Sequence, residues 1–71
     1  MSVMKITVHV NGKPEVVDRG ISVRSLLESK GINPQVVACE LNLKILKRAA
    51  LAEVSLGEGD ALEVIQMIGG G

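Results

Sequence analysis

Between Met4 and Gly12 the chain has little choice of local structure. Met-Lys-Ile-Thr-Val-His-Val alternates strictly, so Met4, Ile6, Val8 and Val10 are expected on one covered face and Lys5, Thr7 and His9 on the other. Asn11-Gly12 follows at once, and both residues accept the positive φ that a tight hairpin turn of the right twist requires. A strand that must bury one face and then reverse commits the chain to an antiparallel hairpin with a second layer packed on one side. The return strand is expected from Lys13 to Asp18, with Pro14 placing it near a sheet edge and Val17 pointing inward. His9 points to solvent, with no second base or ligand beside it.

The covering layer is expected next. Ser22 precedes Val23, Leu26 and Leu27, a spacing that lines one helical face, and its hydroxyl can accept from a first-turn amide. Gly31 supplies the left-handed stop. A helix of about two turns is held by packing rather than propensity. Beyond Asn33-Pro34, the stretch Val36 to Leu41 reads as a third strand. Val37, Cys39 and Leu41 share its inner face, which makes Cys39 a small buried hydrophobe with a raised pKa rather than a nucleophile.

Asn42 opens a turn, Leu43 to Lys47 is expected as a short fourth strand, and the stretch from Lys47 to Glu53 has local helix propensity, with a loop or one 3₁₀ turn equally open to so short a connection. Leu51, Val54 and Leu56 are candidates to close the bottom of the core, and Lys44, Lys47 and Arg48 form a small basic group read as a solvated face. After the turn Gly57-Glu58-Gly59-Asp60, the last strand is expected from Ala61 to Ile68. Leu62 and Val64 take one face, Glu63, Ile65 and Met67 the other. No second helix is available to cover the latter, so Ile65, Met67 and Ile68 are expected to form an exposed docking patch.

Composition removes several functions. Eight Lys and Arg balance eight Asp and Glu, leaving no net field to attract phosphate backbones or anionic membranes, and there is no Phe, Tyr or Trp on which bases could stack. Neither nucleic acid nor membrane is therefore an expected partner. One cysteine and one histidine do not make a disulfide or a structural metal site, and no catalytic group is singled out. The alternating N-terminus has neither the apolar run of a signal peptide nor a membrane span, so the expected address is cytoplasmic.

Hairpin, helix and three further extended segments fit an α+β fold of β-grasp order, a mixed sheet of four to five strands with one main helix packed on one face. The domain is expected over residues 1–68, followed by a glycine tail over 69–71. Gly69-Gly70-Gly71 lacks any Cβ, and three extended residues reach roughly 10 Å, enough to enter a narrow slot in a partner. On the tail alone two readings stand, a frayed end or linker remnant and a reagent.

Several stretches together resemble the ubiquitin-like sulfur carriers of the ThiS/MoaD superfamily, and within it the ThiS family of thiamine biosynthesis. They are the Asn11-Gly12 hairpin, Ser22-Val23 with Leu26-Leu27, Val37-Ala38-Cys39-Glu40-Leu41-Asn42, Leu56-Gly57-Glu58-Gly59-Asp60 and the terminal glycines. The chain departs from the family pattern at Leu43, where a glycine often follows the asparagine, at Met67, where an aromatic is frequent, and near Leu51, where a tryptophan is.

The resemblance implies that Gly71 is the modified residue. A ThiF-like adenylating enzyme using ATP and Mg would activate its carboxylate. A sulfur donor, a cysteine desulfurase or similar persulfide, would convert it to a thiocarboxylate, and thiazole synthase would receive the sulfur. Gly69 and Gly70 would thread the tail into the enzyme. No cofactor would be bound by this chain itself, and the chain would act as a carrier rather than an enzyme. Sulfur delivery to molybdopterin, cysteine or methionine synthesis stays open, as does a ubiquitin-like modifier joined through Gly71, or a binding module whose glycine end is incidental.

Overall fold

A computed structural model describes residues 4–67. Its first hairpin pairs β1 (Lys5–Val10) with β2 (Lys13–Asp18), in antiparallel register from Lys5 opposite Asp18 to Val10 opposite Lys13. Asn11 and Gly12 both lie at positive φ, 51° and 83°, the backbone of a tight two-residue turn. Ile6, Val8, Val10 and Val17 are buried, as the alternation requires. Met4 departs from that expectation. It precedes the strand, and 62% of its surface is exposed, because it lies past the end of the covered face.

Helix α1 (Val23–Ser29) buries Val23, Leu26 and Leu27. Its first-turn amides all find acceptors, some in the helix's own cap and some in a distant segment. Ser25 N donates to Ser22 Oγ at 3.0 Å, Val23 N to the Val54 carbonyl at 3.0 Å and Arg24 N to the Leu51 carbonyl at 2.9 Å. The segment after the fourth strand is thereby stitched to the start of the helix, and Leu51 and Leu56 become core residues with Val54 packed against them. At the far end Gly31 takes φ 75°, and Ile32 N donates to the Leu27 carbonyl at 2.9 Å.

A 3₁₀ turn at Pro34–Val36 delays the next strand by one residue, so β3 is Val37–Leu41 and Val36 is left exposed. β4 is only Lys44–Leu46, and a 3₁₀ turn follows at Arg48–Ala50. The last strand, β5, is Ala61–Gln66, shorter than expected, although Met67 N still donates to the Val36 carbonyl at 2.8 Å. The five strands lie in the order β2-β1-β5-β3-β4. β5 is therefore central, parallel to β1 and antiparallel to β3. With the helix on one face, this is a β-grasp arrangement.

Candidate functional site: the open sheet face

The sheet has one covered and one uncovered side, and the registers say which residues share each. Opposite Ala38 stands Ile65; Glu40 lies between Glu63 and Ile45. These side chains point away from α1, while Leu62, Val64, Cys39 and Leu46 pack inward. On the uncovered side Ile65 is 51% exposed and Ile45 76%, while Met67, one residue past β5, is 54% exposed and lines a recess with Val37, Cys39, Leu46 and Leu51. Ile65 and Met67 are thus half-exposed rather than buried.

Reading the sequence missed part of this surface. Ile45 belongs to it, because the hairpin between β3 and β4 folds β4 beside Glu40. A three-residue strand shows too little alternation to assign a face from sequence. Leu43, at the hairpin tip, is 88% exposed. The site is apolar towards the end of β5 and acidic in its middle, where Glu40 and Glu63 face one another. Like charges directly opposite in a sheet oppose pairing in the isolated domain.

β5 is held unequally along its length. Before it begins, the turn at Gly57–Asp60 is tied to β1: Gly59 N donates to the Thr7 carbonyl and His9 N to the Asp60 carbonyl, both at 2.8 Å. Its first half then lies between β1 and β3, with β1 partners only at Ala61 and Leu62. Two asparagines from the hairpin turns extend the ladder. Asn42 Oδ1 accepts from Ala61 N at 3.0 Å and Asn11 Oδ1 from Val64 N at 2.8 Å. Asn42 Nδ2 also donates to Asp60 Oδ1 at 3.1 Å, so the turn into β5 is clamped to the turn out of β3. The end of β5 is paired with β3 through Val37 opposite Gln66. Ile68, Gly69, Gly70 and Gly71, the expected anchor and tail, lie outside the described residues.

The other chemistry-bearing residues are placed as follows. His9 is exposed on β1, as expected. Cys39 is buried, and that burial pushes its thiol pKa up, which disfavours the thiolate needed for nucleophilic attack. Among the described residues no three His, Cys, Asp or Glu side chains gather into a group able to hold a metal, and no helix is long and apolar enough to cross a membrane. A recess of about 320 Å³ beside the end of β5 is floored by Val37, Cys39, Leu46 and Leu51, with Lys47 and Arg48 also lining it.

A β-grasp domain whose exposed apolar strand runs towards a glycine triplet defines a class, the ubiquitin-like carriers. The family model of the ThiS family matches residues 5–71, and the chain belongs to that family. It is similar to the crystal structure of the thiamine biosynthesis protein ThiS from Geobacter metallireducens, at a TM-score of 0.80 and 35% identity, over 93% of this chain and all of that one. The solution structure of that protein gives a TM-score of 0.74. Among curated relatives, the chain is 38% identical over 64 residues to a thiazole synthase of Magnetococcus marinus and 36% over 62 to one of Paramagnetospirillum magneticum. It covers 90% and 87% of itself in these matches, but only 20% and 19% of the length of those two proteins.

Proposed function

We propose that this protein is a sulfur carrier whose Gly71 carboxylate is adenylated and then converted to a thiocarboxylate, which supplies sulfur for thiazole formation in thiamine biosynthesis. The observation that carries this reading is the uncovered apolar end of β5, with Ile65 and Met67 exposed immediately before Ile68 and the three glycines. Membership of the ThiS family supports it. So do the two thiazole synthases, in which a segment resembling this whole domain occupies a fifth of the chain, as a carrier joined to its acceptor would.

The chemistry explains the division of labour. A C-terminal carboxylate, with a pKa of about 3.3–3.7, is an anion at neutral pH and a poor electrophile. Attack of its oxygen on the α-phosphorus of ATP expels pyrophosphate and leaves an acyl adenylate, with Mg and the nucleotide held by a ThiF-like enzyme. The terminal sulfur of a persulfide donor, such as that of a cysteine desulfurase, then attacks the acyl carbon and expels AMP. A second thiol cleaves the resulting acyl disulfide, taking the donor sulfur into a new disulfide and leaving the thiocarboxylate. Every reacting group but the carboxylate belongs to a partner, so the domain acts as a cytoplasmic co-substrate rather than an enzyme. Ile65, Met67 and Ile68 anchor the sheet face, while Gly69 and Gly70 bring no side chain into the narrow approach to ATP.

The experiment is intact-mass measurement after incubation with the adenylating enzyme, MgATP, a persulfide donor and a thiol. One oxygen is expected to be replaced by one sulfur, located to Gly71 by fragmentation. An unchanged mass under conditions in which the enzyme forms AMP on another carrier would sink the proposal.

A further inference from the structure

β4 and β5 both run antiparallel to β3, so they end at the same side of the sheet with only the start of β3 between them. The recess of about 320 Å³ lies there. Val37, Cys39, Leu46 and Leu51 make its floor apolar, and Met67, the last described residue, is part of its lining. Lys47 and Arg48, which follow β4, supply its charge. No acidic side chain lines it, and among the described residues neither cation is held in a salt bridge, whereas Lys5, Arg24 and Lys30 each are. An apolar recess with two cations in its lining suits an anion carried on a short apolar stem.

We infer that this recess is the docking site of the chain's own last residues, Ile68 to Gly71, with the Ile68 side chain against the apolar floor and the Gly71 carboxylate on Lys47 and Arg48. The inference rests on the function proposed above only in taking Gly71 as the free end of the chain. The place where the described structure stops selects this occupant. Residue 68 is bonded to a residue that already lines the recess, and the extended stretch 68–71 reaches roughly 13 Å, enough to span it. Charge selects it too, because the carboxylate is an anion at neutral pH and the lining offers only cations. Glycines at 69, 70 and 71 admit the reversal that brings the end back, since they take positive φ without steric cost. Exposed ion pairs are individually weak, so docking holds part of the population and the adenylating enzyme can draw the tail out, with an apparent affinity that scales with the undocked fraction.

Nuclear magnetic resonance on the full-length chain, with no partner present, reads the docking directly. Two changes each remove one side of the ion pair and leave the sheet alone: Lys47→Gln combined with Arg48→Gln, and a C-terminal amide in place of the Gly71 carboxylate, made by semisynthesis. In both, the order parameters of residues 69–71 are expected to fall from the wild-type values towards those below about 0.6 of an unrestrained chain. The backbone amides of Val37, Leu46 and Leu51 are expected to shift as well, although the amidated end is distant from them in sequence. Salt at about 0.5 M is expected to reproduce both effects in wild type and to change little in either variant. Melting temperatures are expected to stay near that of wild type, because Lys47 and Arg48 are exposed.

Residues 69–71 as unrestrained in wild type as in the amide would overturn the docking, and adenylation of that same wild type would leave the carrier reading intact. Order that survives the loss of both cations would remove Lys47 and Arg48 from the site and overturn it as well. Shifts at the recess that grow with protein concentration would put the tail of a second copy there instead. A wild type whose tail docks, but which gains no sulfur in the mass assay, would support the recess and sink the carrier reading.

Discussion

Cys39 shows what one buried thiol does to the stability of so small a domain. It sits between Leu46 on β4 and Val64 on β5, and burial raises its pKa. In the unfolded chain the thiol ionises at about pH 8.5. Above that pH the unfolded state has released a proton that the folded state still holds, so stability falls as pH rises through this range and is fully present below it. Chemical denaturation followed from pH 7 to 10 is expected to show this loss, and Cys39→Ala, although less stable at neutral pH, to show a flatter profile over the same interval. A slope unchanged by the substitution would place the alkaline sensitivity elsewhere.

At the scale of elements, the two hairpin turns share a device. Each places an asparagine in the left-handed region and uses its side-chain oxygen to receive an amide of β5, Asn11 from Val64 and Asn42 from Ala61. Removing one leaves an amide without its partner and a Cβ in a backbone that disfavours it. Asn42→Ala is therefore expected to cost about 2–3 kcal/mol by urea unfolding, more than a surface substitution does. A change below half of that would mean that water replaces the side chain. What could be read from sequence follows the same physics. β1, its Asn-Gly turn, the Ser22 cap and the inward Cys39 were legible because period, turn chemistry and burial agree there. Leu43 was not, because its own preference opposes the backbone the hairpin imposes. Nor was the outward Ile45, whose strand is too short to show a period, or the exposure of Met4, which alternates in phase with β1 yet precedes the paired residues. Of the candidate site, Ile65 and Met67 were visible as apolar residues on the wrong face of an alternating strand. Their neighbours came only from register.

For the molecule as a whole, the central place of β5 decides how the fold can be reached. β1–β2 and β3–β4 are each local hairpins, and they meet only through the strand formed last in sequence. Leu62, nearly fully buried, joins the core from that strand. A chain ending at Asp60 is expected to lack cooperative thermal unfolding, and adding a synthetic peptide of residues 61–71 to restore it. A cooperative transition in the truncated chain alone would show that the hairpins need no bridge.

Placing the closing strand last has a further consequence during synthesis. Pairings between residues far apart in sequence form late, because the intervening chain must first be brought together. On the ribosome the sheet stays open until residues 61–66 have emerged, by which time the glycines have been translated as well. Every copy that has passed its folding transition therefore already carries the segment that the proposed chemistry uses, and a prematurely ended chain is marked for proteolysis by failing to fold rather than competing for the partner with an empty handle.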